Sequence, residues 1–297
     1  MIKIGSHSRL VAILQALLVI SLWSSSWVLI KFGLRDIPPL TFAGLRYFLA
    51  FLVLVPFALA SSNRQALRGL SRRTWLRLTA LGLLIYMLCP GGQYVGLFYL
   101  PAVTTMLLFS FGTVTVALLS GVLLRERPTW LQWCGIFTAL LGGYLYFHPV
   151  DVPAGQLVGI GVVLVSMLGY SFAAILGRGI ARSKTVSALL MTVVSMGTGS
   201  VVLLAGGLAV EGLPSISLTN WLIILWLSVV NTSFTFVLWN RTLQTLTAVE
   251  SNIISNAMLV EIAVLAWLFL GERLTLLDLA GLGLVIGGTL MVQLRGR

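Results

Sequence analysis

The chain alternates long apolar stretches with short polar connections. Ten apolar stretches can be traced, each about 19 to 25 residues long. They cover residues 10–32, 39–60, 75–97, 101–124, 130–148, 156–178, 186–210, 219–240, 247–270 and 276–294. About 20 apolar residues in a helix, at about 1.5 Å per residue, cross the hydrocarbon core of a bilayer. The pattern therefore predicts an all-α membrane protein with ten transmembrane helices.

One stretch of nineteen residues occurs twice. Aligned without gaps, residues 124–142 and 270–288 are identical at seven of nineteen positions. Both copies start with a Leu-x-Glu-Arg box that contains Glu126 in the first and Glu272 in the second. A period of about half the chain indicates two fused copies of one unit. We therefore predict two five-helix repeats, in residues 1–148 and 156–297.

Each copy of the box predicts a helix end, a polar turn and a new helix start. Thr129 precedes Gln132 by three residues, and Thr275 precedes Asp278 by three. This spacing is typical of a capping box, in which the hydroxyl accepts from a backbone N–H of the first turn. Glu126 and Glu272 are then either turn residues at a membrane surface or residues that take part in gating.

Composition supports the membrane assignment and narrows the function. The chain is 58% hydrophobic and 9% charged, and its mean hydropathy is +1.02. Soluble domains carry about 25% charged residues. Neither a zinc-protease HExxH, nor paired CxxC, nor a GxSxG elbow occurs in the sequence, and these are the signatures by which common enzymes are recognised. We therefore expect no enzyme, no metal site and no cofactor.

The distribution of positive charge predicts the orientation. With the N-terminus in the cytoplasm, fifteen of the nineteen Lys and Arg residues fall on the cytoplasmic side, as the positive-inside rule requires. Both termini are then cytoplasmic, and the net charge of +11 faces anionic membrane lipid rather than nucleic acid. An odd number of helices per repeat inverts the second repeat, which is an architecture typical of secondary transporters.

Three of the charged residues inside predicted spans are candidates for function, because charge is costly there. Glu250 and Glu261 are in the ninth span and Arg46 is in the second. Arg46 is about 11 Å and Glu261 about 14 Å from the outer end of their helices at 1.5 Å per residue. We predict a coupling or gating role for Arg46, Glu250 and Glu261, with Arg46 and Glu261 forming a pair and protons as the candidate ions. Alternatively the pair is permanent, Arg46 is satisfied by backbone carbonyls, or Glu250 is a solvated surface residue.

Polar and aromatic residues near mid-span are candidates for a solute cavity. Trp23, Ser24 and Ser26 lie in the first span, and Trp239 and Asn240 lie at the end of the eighth. Gln93 and Tyr94 follow Cys89-Pro90-Gly91-Gly92, where proline removes a backbone donor and favours a kink. Open backbone at membrane depth is tolerated only if it is buried or lines a cavity. The other interpretation of these aromatics is core packing or an interfacial belt, and the glycines 281, 283, 287 and 288 are interpreted as close helix packing.

Several short motifs in a fixed order resemble one transporter family. They are Leu22-Trp23-Ser24-Ser25-Ser26 with Lys31, Leu45-Arg46-Tyr47, Gln93-Tyr94, Leu97-Phe98-Tyr99, Pro101-Ala102-Val103-Thr104 and the duplicated Leu-x-Glu-Arg box. In this the chain resembles the EamA family of the drug/metabolite transporter superfamily over nearly its whole length. The resemblance implies ten helices, a bacterial inner-membrane location and movement of small metabolites, commonly outward, without identifying the solute.

The predicted function is an exporter of amino acids or similar amphipathic solutes that works by alternating access. Two alternatives remain open. One is a passive, uncoupled facilitator, and the other is an intramembrane enzyme or lipid-binding assembly protein.

Overall fold

The described part of the chain forms ten helical segments. A computed structural model describes residues 6–58, 65, 67–123, 129–148, 153–183, 185–242, 245–246 and 248–293. The segments are α1 (Ser6–Gly33), α2 (Pro39–Ala58), α3 (Arg72–Tyr99), α4 (102–123), α5 (Trp130–Tyr146), α6 (Ala154–Arg182), α7 (Ala188–Glu211), α8 (218–242), α9 (248–270) and α10 (Leu276–Gln293). Their ends differ from the predicted spans by at most four residues, which confirms the all-α prediction.

The segments are long enough to cross a membrane. Within the described ranges, nine helices have the length and apolar composition of a membrane span. The remaining segment, α5, is apolar but has only 17 residues, or about 26 Å at the usual helical rise. The protein is therefore a multi-pass membrane protein.

Both predicted capping boxes are present. At the start of α5 the Thr129 hydroxyl accepts from the Gln132 N–H, and the Gln132 side chain accepts from the Thr129 N–H. At the start of α10 the Asp278 N–H donates to the Thr275 hydroxyl over 3.2 Å, and the Thr275 N–H donates to the Asp278 carboxylate over 2.7 Å. These side chains bond helix-end N–H groups that lipid cannot satisfy.

Two equivalent helices are interrupted by a π-helical turn. The turn covers Leu83–Leu88 in α3 and Val229–Phe234 in α8, and these positions are separated by the same 146 residues as the two boxes. In α8 the Thr232 and Ser233 hydroxyls donate to carbonyls five residues earlier. In α3 the turn ends two residues before Pro90, so the predicted irregularity lies just before the Cys89–Gly92 stretch rather than within it.

The chain divides into two compact units that differ from the two sequence repeats. Unit 1 comprises Met1–Lys31, Pro101–Ala154 and Phe234–Arg297, and unit 2 comprises Phe32–Leu100 and Gly155–Ser233. Unit 1 therefore contains α1, α4, α5, α9, α10 and the end of α8. Unit 2 contains α2, α3, α6, α7 and the start of α8. Each unit combines helices from both repeats.

In unit 1, glycines bring α5 and α10 into backbone contact. A Cβ atom added at Gly135 would lie 2.6 Å from the Gly288 carbonyl oxygen, and one at Gly142 would lie 2.6 Å from that of Gly281. The two helices therefore run antiparallel. Gly135 and Gly281 are equivalent positions, as are Gly142 and Gly288, so each glycine contacts the equivalent of the other. Such reciprocal contact is expected at a twofold axis.

Unit 2 repeats this arrangement with α2 and α7. A Cβ atom at Gly44 would lie 2.5 Å from the Leu204 Cα, and one at Gly207 would lie 2.7 Å from the Thr41 N. These contacts again require antiparallel helices. Because α2 and α7 hold the same place in their repeats, as α5 and α10 do, both units support an inverted repeat.

The packing prediction for α10 is confirmed for two glycines and wrong for two. Gly281 and Gly288 contact α5, whereas Cβ atoms at Gly283 and Gly287 would meet no described neighbour within 4 Å. The latter two are one turn apart on a different face of the helix. Cys89 and Cys134 are both free, half-buried thiols.

Candidate functional site

Unit 1 contains an aromatic cluster around Trp23. The indole Nε1 of Trp23 donates to the Thr235 hydroxyl over 2.9 Å. Its ring lies 5.9 Å from the Phe236 ring and 5.5 Å from the Trp239 ring, both tilted. The structure therefore brings two predicted site residues, Trp23 and Trp239, into direct contact. Trp23 and Trp239 are both half-buried, so the cluster keeps accessible aromatic surface.

The serines beside Trp23 are buried. Ser24 is 0% exposed, and its Oγ atom has no hydrogen-bond partner among the described residues. Ser26 is 4% exposed, and its hydroxyl donates to the Trp23 carbonyl one turn earlier. Ser26 therefore supports the α1 backbone at the aromatic cluster, while Ser24 offers a hydrogen-bonding group inside unit 1.

The two carboxylates of α9 have different surroundings, both within unit 1. Glu250, in the first turn, forms an ion pair with Arg9 of α1. This ion pair gives Glu250 a structural partner on α1, and its coupling or gating role stays a prediction. Glu261 lies eleven residues further along α9, and the Ser21 hydroxyl donates to it over 3.2 Å. The two acids of α9 thus contact α1 at two positions along its length, Arg9 and Ser21.

Unit 2 holds Arg46 among neutral groups. Its side chain is buried at 4% exposure. It donates to the Thr232 hydroxyl over 3.0 Å, the Tyr94 hydroxyl over 3.3 Å and the Asn231 carbonyl over 3.4 Å. The guanidinium also lies 5.3 Å from the Tyr47 ring, a cation–π distance. One carbonyl and two hydroxyls thus accept hydrogen bonds from Arg46. The alternative interpretation named backbone carbonyls only, and the structure adds side-chain hydroxyls to them.

The π-helical turn of α8 and the residue before it, Ser228, hydrogen-bond to the backbone of α2. The Ser228 hydroxyl donates to the Arg46 carbonyl over 2.9 Å, and the Ser233 hydroxyl donates to the Ala50 carbonyl over 3.3 Å. Together with the bonds from Arg46 to Thr232 and Asn231, these contacts fix the turn within unit 2.

Tyr94 belongs to this buried group. It is 0% exposed, and its ring stands edge-on to Phe42 at 5.1 Å. Its hydroxyl is occupied as an acceptor for Arg46. Gln93 is half-buried. The side chain of Asn240 and the whole of Glu126 lie outside the described residues.

Two glutamates each bond a helix start from elsewhere in the sequence. Glu272 of the second box accepts from the Ala102 N–H over 2.6 Å and the Val103 N–H over 3.2 Å at the start of α4. It is also close enough to Lys31 for their charges to interact. Glu211 accepts from the Leu40 and Thr41 N–H groups over 3.1 and 2.8 Å at the start of α2.

Glu211 and the structural role of Glu272 were not predicted from the sequence. A carboxylate at a helix N-terminus is stabilised by the exposed N–H groups and the helix dipole. Two features of the sequence could have indicated this role. Each acid lies just after the end of a predicted span, and at the same predicted membrane face a helix starts that has no Ser, Thr, Asp or Asn cap of its own. The predicted pairing of Arg46 with Glu261 stays a prediction, and each of the two has hydrogen-bond partners in its own unit.

Comparisons with known proteins are consistent across the chain. A model of the EamA-like transporter family matches residues 10–147 and 157–294. The uncharacterized transporter YvbV of Bacillus subtilis is 31% identical over 297 residues, covering 96% of this chain and 92% of the relative. The uncharacterized transporter YoaV of the same organism is 25% identical and covers 91% and 92%.

Two further matches are more distant or shorter. A Chlamydia trachomatis protein named as an S-adenosylmethionine/S-adenosylhomocysteine transporter is 32% identical over 125 residues, covering 42% of this chain and 37% of that protein. A solved crystal structure that is 17% identical covers 95% of this chain and 96% of that one with a TM-score of 0.67, which supports the fold alone. With both halves matched by the family model, and with a 31% identical relative across 96% of its length, this chain belongs to the EamA-like transporter family and is a membrane transporter.

Proposed function

We propose that this transporter exports amino acids or similar small amphipathic metabolites across the bacterial cytoplasmic membrane by alternating access. The observation that carries the proposal is the aromatic cluster of Trp23, Phe236 and Trp239, hydrogen-bonded through Thr235. Aromatic surfaces beside hydroxyl groups suit a solute with an apolar part and polar ends.

The position of Glu261 supports a solute or ion with positive charge. An acid within a membrane span costs about 2.5 to 3.5 kcal/mol on insertion scales and is usually functional. The Ser21 hydroxyl contributes only a neutral hydrogen bond to it. The partial relative named for S-adenosylmethionine and S-adenosylhomocysteine, both amino-acid derivatives, also supports this solute class.

Alternating access is supported by the antiparallel pairing of equivalent helices within each unit. Inverted repeats allow two related conformations in which a central site opens to opposite sides. The pair is α5 with α10 in unit 1 and α2 with α7 in unit 2.

The test uses purified protein in proteoliposomes that contain unlabelled solute, with labelled amino acids, nucleobases or other small metabolites supplied outside. We expect counterflow of one or more amino acids and no uptake of the other classes. Trp23→Ala should raise the apparent KM, because loss of a stacking aromatic costs on the order of 1–3 kcal/mol by analogy with stacked bases. Trp226→Ala is the matched control, since Trp226 is 50% exposed on α8. Equal defects in both variants, or none in either, would refute the role of the cluster.

Coupling to protons is tested separately in inside-out vesicles. If Glu261 carries the proton, Glu261→Gln should transport downhill and lose its response to a proton gradient. If Arg46 and Glu261 pair in one state of the cycle, Glu261→Ala should partly rescue the defect of Arg46→Ala. An additive double variant contradicts the pair. Wild-type transport that never accumulates solute against its gradient would instead establish the passive facilitator.

A further inference from the structure

A cavity lies within unit 2, between α3, α6 and α7. It has a volume of about 160 Å³. Its walls are mainly apolar, with Leu81 and Ile85 from α3, Ala173 and Ala174 from α6 and Met191 from α7. A cavity of about 150 Å³ holds one benzene molecule. The space therefore fits a short hydrocarbon segment, and it is too small for a whole polar metabolite of the proposed class.

A positive charge lies at this cavity. Arg178 of α6 lines it and is exposed. Among the residues that the structure describes, it has no hydrogen-bond or ion-pair partner. Arginine binds phosphate with two parallel N–H bonds and is less strongly hydrated than lysine. The guanidinium is therefore available to an anionic group at the same place as an apolar space.

Two hydroxyl groups lie in the wall of the cavity. Thr192 and Ser195 both line it from α7. Ser195 is 1% exposed, and its Oγ atom has no hydrogen-bond partner in the described part of the chain. A buried hydroxyl without a partner is uncommon and calls for a missing acceptor. An ester carbonyl of a lipid is such an acceptor.

The surroundings favour lipid over a water-soluble ligand. Phe172, the neighbour of the cavity residue Ala173, is apolar and 46% exposed, as expected for a helix face in contact with hydrocarbon. The same end of the three helices carries Arg72, Arg73 and Arg77 on exposed positions of α3. At the opposite end α7 finishes with the acidic Glu211. Clustered arginines beside a membrane attract anionic lipid headgroups.

We infer that the crevice between α3, α6 and α7 is a binding site for one anionic phospholipid. Its phosphate binds Arg178, its glycerol ester region lies beside Thr192 and Ser195, and the first part of an acyl chain fills the cavity. The site lies in a single unit and contains none of the residues assigned to solute transport.

The test measures lipid adducts by native mass spectrometry on detergent-purified full-length protein. Phosphatidylglycerol and phosphatidylcholine of equal chain length are added in turn. We expect the wild-type protein to retain one phosphatidylglycerol at detergent concentrations that remove phosphatidylcholine. Arg178→Gln should reduce this adduct several-fold, and Arg241→Gln, on exposed Arg241 of α8, should leave it unchanged.

A second pair of variants tests the cavity itself. Gly177 lines the cavity, and a Cβ atom there would lie 3.6 Å from the nearest Leu81 carbon. Gly177→Leu should therefore fill the space and remove the adduct. Gly179, on the same helix, has no described neighbour within 4 Å of an added Cβ, so Gly179→Leu is the matched control.

Three outcomes would overturn the inference. One is equal retention of both lipids by the wild-type protein. Another is an adduct lost in Arg178→Gln but kept in Gly177→Leu, because charge alone would then bind the headgroup. The third is displacement of phosphatidylglycerol by glycerol phosphate at equal concentration, because the acyl chain would then contribute nothing. If Gly177→Leu is not monodisperse in size-exclusion chromatography, the lipid comparison on wild type and Arg178→Gln decides.

Discussion

Two glutamates in or beside polar connections of this protein accept hydrogen bonds from the starts of distant helices. Glu272 and Glu211 each satisfy two backbone N–H groups of a helix far away in the sequence. In a membrane such N–H groups have few other partners. Glu272 is therefore a structural carboxylate within unit 1 that bonds the start of α4 from the connection between α9 and α10. This role differs from both predicted ones, a turn residue at a membrane surface and a residue that takes part in gating.

Loss of this carboxylate should destabilise the protein. We expect Glu272→Ala to lower stability by about 1–2 kcal/mol, the usual range for loss of a helix cap. The effect should appear as a lower thermal unfolding midpoint in detergent. Arg273→Ala, at the exposed neighbouring position, should leave the midpoint nearly unchanged. A midpoint shift of equal size in both variants would mean that the turn, and not the cap, sets stability.

Arg46 illustrates how far a sequence alone can predict a site residue. An arginine within an apolar span predicts special surroundings, and the structure provides them. Its partners were not predictable, because Thr232 and Asn231 lie in a helix of the other repeat and reach Arg46 only through the packing of α2 on α8. Trp23 and Trp239 were both predicted as site residues, but their contact also depends on packing between distant helices.

The geometry around Arg46 predicts that charge alone does not replace arginine. A lysine keeps the charge, but its compact ammonium group lacks the planar fork that reaches Thr232, Tyr94 and Asn231. Hydrogen bonds that involve a charged group contribute about 1.5–3 kcal/mol each. We expect Arg46→Lys to lose on the order of 2–3 kcal/mol of stability, measured by thermal unfolding in detergent. Retention of the wild-type midpoint in Arg46→Lys would show that the fork geometry is unimportant.

At the scale of helices, the hydrophobic pattern predicted where each helix begins and ends, but it did not predict the π-helical turns within the helices. All ten segments lie within four residues of their predicted ends, because the length of an apolar run is set by bilayer thickness. The π-helical turns of α3 and α8 leave no such mark on the pattern. Pro90 drew attention to α3, whereas α8 has no proline in its turn, where the Thr232 and Ser233 hydroxyls bond the carbonyls of Leu227 and Ser228.

The α5–α10 contact provides a sharp test of helix packing. A Cβ atom at Gly288 would collide with the Ala139 backbone nitrogen, and backbone cannot move aside as a flexible side chain can. We expect Gly288→Ala to cost about 1–3 kcal/mol, as overpacking does. Gly283→Ala, on the open face of the same helix, should be neutral or stabilise by up to about 1 kcal/mol. Thermal unfolding of both variants in detergent measures the difference, and similar midpoints would contradict the close contact.

For the whole molecule, two organisations coexist. The sequence divides at about residue 150 into two repeats, whereas contacts divide the fold into units that each combine both halves. The repeat was detectable because residues that shape turns and glycine contacts recur at a fixed offset. The units were not detectable, since they depend on which helices pack together after folding.

The charge distribution predicts the orientation of the whole chain. Reporter fusions after Arg73 and Arg297 should report the cytoplasm, and a fusion within residues 151–155 should report the periplasm. The reason is the excess of Lys and Arg on one set of connections. A periplasmic C-terminal reporter would contradict both the ten-helix topology and the inverted repeat.

The π-helical turn of α8 also determines which side chains can face α2. Ser228 and Ser233, whose hydroxyls bond the Arg46 and Ala50 carbonyls, are five residues apart on one continuous helix within unit 2. In an α-helix, with 3.6 residues per turn, residues five apart point about 140° away from each other, whereas a π-helical turn brings them onto one face. A regular α-helix of the same sequence could therefore not make both bonds to α2. Related sequences should keep hydroxyl side chains at these two positions even where the rest of the turn varies.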